Sequence, residues 1–74
     1  MNSRMKKVNK LKEVLQSQGR SQKWFAKEMS KSENSISLWT QNKVQPSLED
    51  LYKAARLLSV EVKDLLTELD ELDE

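Results

Sequence analysis

The feature that most constrains this chain is its punctuation. Apolar residues recur at spacings of three and four, the rhythm of one helix face, in short runs separated by residues suited to helix ends. Met5, Val8, Leu11 and Leu15 make the first run, with Val14 flanking it, and the single glycine, Gly19, follows directly. Glycine accepts the left-handed conformation that closes a helix, so the pattern predicts a helix from Met5 to about Gln18. Ser21 is an N-cap for the next run, which sets Phe25, Ala26 and Met29 on one face and Lys23 and Lys27 on another. The run breaks at Ser30 and Lys31, and Ser32 offers a second N-cap. A third helix is expected from Glu33 to about Asn42, anchored inward by Ile36 and Trp39 and ended by Asn42. Pro46 blocks continuation and biases Gln45 towards an extended conformation. Ser47 with Asp50 resembles a capping box and opens a fourth helix, with Leu48, Leu51, Tyr52, Ala55 and Leu58 on one stripe. Val62, Leu65, Leu66 and Leu69 predict a fifth, whose stripe Leu72 extends into an acidic end.

Five short helices fit the composition, in which one Gly, one Pro and few aromatics accompany abundant Lys, Glu and Leu. Seventy-four residues make one domain. A domain of this size buries only about 60% of the surface of its unfolded chain. Without cysteine, neither disulfides nor thiolate metal sites can reinforce it, which leaves helix packing and dimerisation. No apolar run approaches the length of a membrane span and no signal-peptide core is evident, so the expectation is a soluble, cytoplasmic protein without a membrane partner. The expected division is a flexible basic arm over 1–7, a helical domain over 8–69 and an acidic tail over 70–74.

The net charge of +1 hides an asymmetry. Residues 1–31 carry nine Lys/Arg against two Glu, a balance of +7, and residues 32–74 carry four against ten Asp/Glu, a balance of −6. A basic half suits a polyanion, and an acidic half suits solvent or a protein partner. The two helices around Ser30 say which polyanion. Two helices of about eight residues joined by a tight turn form a helix-turn-helix, which offers its second helix to the major groove of DNA. Such a pair needs a small residue where the helices meet, which Ala26 supplies. It also needs a second helix that is apolar inward and polar outward. Ile36 and Trp39 face in, and Glu33, Asn34, Ser37, Leu38 and Gln41 form the opposite face.

From Gly19 to Leu66 the chain resembles the phage-repressor helix-turn-helix family (lambda repressor and Cro, or XRE-like). The residues that carry the resemblance are Ser21, Gln22, Phe25, Ala26, Ser32, Ile36, Ser37, Lys43, Pro46, Ser47, Leu48 and Leu51, followed by the run LLSVEVKDLL. The resemblance implies an all-α, five-helix domain with the helix-turn-helix at helices 2 and 3. It implies phosphate contacts from Ser21 and Gln22, from Ser32 and Ser35, and from Lys43, the helix starts being suited to anions. It implies base reading by Glu33, Asn34, Ser37 and Leu38. In groove chemistry Asn34 suits adenine, Glu33 suits cytosine N4, and Leu38 suits a thymine methyl. Lys23, Lys27 and Lys31 either join the phosphate contacts or solvate their helix, and Glu33 either accepts from a base or pairs with a nearby lysine. Ser30 stands where the family often has Gly, so its turn needs another geometry or some strain; Lys31 replaces an apolar turn residue, Asn42 a Gly and Trp39 a smaller aliphatic.

Trp39 is expected in the core, and Trp24 against the first helix or at a subunit contact. The Val62–Leu72 stripe fits either core or dimer contact. Catalysis finds no support: there is no His or Cys, and one Gly cannot make a phosphate-binding loop. No metal, cofactor or small-molecule ligand is expected. The leading reading is a sequence-specific double-stranded DNA-binding regulator, a repressor acting sterically as a homodimer on a palindromic operator. The alternative is an antitoxin-like or other protein-interaction module on the same fold, motivated by a third helix without Lys or Arg and by the acidic, leucine-striped end.

Overall fold

The computed structural model describes residues 7–68. Four α-helices follow in order: α1 (Leu11–Ser17), α2 (Gln22–Met29), α3 (Glu33–Thr40) and α4 (Leu48–Leu58). A short 3₁₀ turn, Val62–Leu65, follows them. The three serines expected to start helices all do so. The Oγ of Ser21 accepts from the Trp24 amide at 2.9 Å, that of Ser32 from Ser35 at 3.0 Å, and that of Ser47 from Asp50 at 3.0 Å. Each satisfies one of the amides that a helix start leaves without a partner.

Four left-handed residues close the helices: Gly19 (φ 67°), Ser30 (59°), Asn42 (60°) and Ser59 (57°). After each, the next amide reaches back to a carbonyl in the last turn, as from Arg20 to Leu15 and from Lys31 to Ala26, both at 2.9 Å. Ser30 therefore keeps the geometry that glycine would adopt rather than finding another, and carries the left-handed strain of a side chain.

Two expectations require correction. The first helix begins at Leu11, not Met5, which lies outside the described residues together with the rest of 1–6. Residues 8–10 run instead beside residues 65–67 as an antiparallel bridge between Asn9 and Leu66. The Lys10 amide donates to the Leu65 carbonyl at 2.8 Å, and the Thr67 amide donates to Val8 at 2.8 Å. The same pairing removes the fifth α-helix. Beyond the single turn at Val62–Leu65 the chain is extended at Leu66 (φ −116°, ψ 146°). Among the described residues the fold is thus all-α with four α-helices rather than five; Leu69, Leu72 and the 70–74 tail lie outside them. Among the described residues no helix is long and apolar enough to cross a membrane.

One apolar cluster gathers Leu11 and Leu15 of α1, Phe25, Ala26 and Met29 of α2, Ile36 and Trp39 of α3, Leu51, Ala54, Ala55 and Leu58 of α4, and Leu65. Phe25, Leu11, Ile36 and Leu65 are wholly buried. Trp39 is core, as expected, and Trp24 packs half-buried against the cluster with the Arg20 guanidinium 4.1 Å above its ring. The α4 stripe is rotated from its expected position. Leu48 and Tyr52 stay 68% and 64% exposed, and Ala54 takes a buried place instead.

A polar knot ties the start of the chain to the end of α3. The Asn42 Oδ1 accepts from the amides of Val8 and Asn9, each at 2.8 Å, and its Nδ2 donates to the Asn9 carbonyl at 3.2 Å. The Asn9 Nδ2 in turn donates to the Trp39 carbonyl at 3.0 Å and to the Gln45 Oε1 at 2.8 Å. Both asparagines are buried, where a satisfied amide holds geometry and an orphaned one is expensive. Lys7 pairs with Glu13 at the surface, and its hydrogen bond holds that carboxyl below the usual carboxylate range. Exposed pairs of this kind contribute little to stability.

Candidate nucleic-acid interface

Helices α2 and α3 and the three-residue turn between them make the helix-turn-helix. Phe25, Ala26 and Met29 of α2 meet Ile36 and Trp39 of α3 inside the cluster, with Ala26 only 2% exposed at the approach. Both helices are thereby fixed to the core by one face, and the opposite faces are set by helical geometry.

On α3 the outward positions hold the four residues expected to read bases. Glu33 and Asn34 in its first turn are exposed, and Ser37 and Leu38 one turn further are half-buried. The Ser37 Oγ already accepts from Gln41 Nε2 at 2.7 Å, which steadies the two polar groups at that end of the face. The face offers an amide, a carboxylate, a hydroxyl and an aliphatic group, and no cation. Such groups can discriminate base edges but supply no general attraction to phosphate.

Polar and basic groups lie on the flanks instead. Ser21 and Gln22 sit at the exposed start of α2, and Ser32 caps α3, its Oγ also donating to Ser35 Oγ at 3.1 Å. Lys23 and Lys27 are exposed on α2, and Lys43 is exposed in the loop after α3. Lys43 is held there by a 2.9 Å bond from its amide to the Leu38 carbonyl, which ties it to the end of the outward face of α3. Lys31, in the turn, is already engaged. Its Nζ is 3.6 Å from Asp50 Oδ2 and 6.0 Å from the centre of the Trp39 ring. A half-exposed pair of that length is weak, and Lys31 also buttresses the turn against α4.

The sequence marks Asn42 only as a helix end and Gln45 only as an extended residue before Pro46, and nothing in it singles out Asn9. These three position the carboxyl end of α3. The Asn9 Oδ1 also accepts locally from the Leu11 amide at 3.0 Å, but the partners that tie Asn9 to α3 and the loop after it lie thirty or more residues away.

A family model described as helix-turn-helix matches residues 11–65. Among solved structures, the chain is similar to the crystal structure of a candidate DNA-binding protein from Bacteroides fragilis, at 47% identity and a TM-score of 0.80. That likeness covers 81% of this chain and 97% of the other. No curated protein matches.

Proposed function

The chain belongs to the helix-turn-helix family of DNA-binding domains, and from that premise we propose that it is a sequence-specific regulator of transcription. It acts as a repressor, by occupying a palindromic operator as a homodimer. The observation that carries this reading is the outward face of α3, where Glu33, Asn34, Ser37 and Leu38 stand in register between two serine-capped helix starts and Lys43. In this reading α3 enters the major groove, while Ser21, Gln22, Lys23, Lys27, Ser32, Ser35 and Lys43 hold the phosphates and Lys31 adds local positive charge. The similarity to a candidate DNA-binding protein from Bacteroides fragilis supports DNA as the ligand class.

The absence of Lys and Arg from α3 makes its own hold on DNA weak, so two copies are needed to reach useful affinity. Two-fold pairing would place two reading helices about one DNA turn, roughly 34 Å, apart. The test compares Asn34→Ala with Lys43→Ala on a selected site and on random duplex. Asn34→Ala is expected to lose about 1–3 kcal/mol on the selected site alone. Lys43→Ala is expected to weaken both and to flatten the salt dependence by about one phosphate contact. Equal loss on both duplexes for Asn34→Ala contradicts base reading. No duplex binding even at low salt favours a protein-interaction module, which the exposed Glu33 and cation-free face would also suit.

A further inference from the structure

Both tryptophans of the chain carry a cation, one at each end of α2. After the helix, the Lys31 Nζ stands 6.0 Å from the centre of the Trp39 ring and 3.6 Å from Asp50 Oδ2, so its charge is compensated within the fold. Before the helix, the Arg20 guanidinium lies 4.1 Å above the Trp24 ring and is in no ion pair among the described residues. Trp24 is half-buried against the core cluster, and the Arg20 amide is fixed by a 2.9 Å bond to the Leu15 carbonyl. The exposed Arg20 is thus held at its backbone and at its head, whereas Lys23, Lys27 and Lys43 are exposed on flexible stems. Arg20 is not among the residues that carry the family resemblance.

We propose that Arg20, braced on the Trp24 ring, anchors the helix-turn-helix to a phosphodiester of the DNA backbone. A guanidinium offers five N–H donors in a planar fork that matches two phosphate oxygens. An aromatic face attracts the cation without neutralising it, as a carboxylate would, and leaves the charge available to an incoming anion. A side chain already held in one direction loses less rotamer freedom when the phosphate arrives. Arg20 adjoins Ser21 and Gln22, which are proposed above to face the same backbone, and α3 has no cation of its own. One fixed charge beside α2 therefore sets where the domain sits on the duplex while α3 meets the base edges. Trp24 acts through Arg20 and is a positioning residue. The inference rests on the duplex-DNA reading and adds a contact to it.

Fluorescence anisotropy of a labelled random duplex, titrated with the full chain between about 50 and 200 mM salt, tests it. Arg20→Ala should weaken binding about tenfold. It should also flatten the slope of log K against log salt by about 0.9, one phosphate contact. Trp24→Leu keeps the charge and an apolar group against the cluster, so binding should weaken about two- to fivefold at unchanged slope. Arg20→Lys should keep the slope and recover only part of the affinity. The double variant Arg20→Ala, Trp24→Leu should bind like Arg20→Ala alone, because the ring acts through the guanidinium. Urea midpoints of the same variants separate a lost contact from a lost fold. Parental affinity and slope in Arg20→Ala, or losses in the two single variants that simply add, overturn this inference while the duplex-DNA reading stands. An unaltered chain that binds no duplex at the lowest salt overturns both.

Discussion

Replacing Asn42 should unfasten the amino-terminal segment from the end of α3. In Asn42→Gly the left-handed backbone (φ 60°) is kept and only the side chain is lost. Two backbone amides, of Val8 and Asn9, lose acceptors at 2.8 Å, and the bonds to the Asn9 carbonyl and from Gln45 Nε2, each at 3.2 Å, go with them. An orphaned buried donor costs about 1–3 kcal/mol. The Asn9 amide is buried and incurs the full cost, whereas the part-buried Val8 amide can recover some of it from water. The expected loss is about 2–4 kcal/mol. Asn42→Ala adds the strain of a methyl group in a left-handed position, about 1 kcal/mol more. For a domain of this length total stability is roughly 4–11 kcal/mol, so either change removes a large share of it. Urea unfolding followed by far-ultraviolet circular dichroism reads this as a lowered midpoint at unchanged slope. A loss below about 0.5 kcal/mol for Asn42→Gly would refute the claim that this side chain organises the junction.

Other perturbations separate the remaining parts of the account. Phe25→Ala empties the wholly buried centre of the cluster and should cost about 3–5 kcal/mol, leaving little cooperative unfolding by calorimetry; a near-native midpoint would place the core elsewhere. Ser30→Gly and Ser59→Gly relieve left-handed strain while loosening the unfolded chain, so each should raise stability by up to about 1 kcal/mol in denaturant titrations; a loss in both would contradict the strain argument. Ser21→Ala removes the cap of α2 and should cost about 1 kcal/mol, with no loss expected from Ser21→Asp, which can still accept from the Trp24 amide; equal losses in both would deny the cap its role.

What was legible in the sequence was local. Ser21, Ser32 and Ser47 mark helix starts because their hydroxyls bond amides three residues on, and Gly19 and Asn42 mark ends because they tolerate positive φ. The helix-turn-helix is built from such signals, so its two helices could be placed to within a residue or two. The misplacements have long-range causes. Val8 fits the helical spacing of Leu11 and Leu15, yet its carbonyl is taken by Thr67 and its amide by Asn42. Leu66 fits the spacing of Val62 and Leu65, yet its backbone is drawn into the bridge to Asn9. In α4, hydrophobicity pointed to Leu48 and Tyr52, but the packing against α2 and the 3₁₀ turn selects Leu51, Ala54, Ala55 and Leu58. Periodicity identifies that a helix has an apolar stripe; where that stripe is wider than the neighbour it packs on, only the fold decides which edge remains outside.

The central claim, that α3 reads duplex DNA, is tested most directly by selecting bound sequences from a random duplex pool and sequencing them. The account predicts enrichment of a two-fold symmetric motif with half-sites about 10–10.5 base pairs apart, centre to centre, lost when Asn34 and Ser37 are both changed to Ala. A pool that emerges unenriched, or an enriched motif unchanged in that double variant, would contradict it.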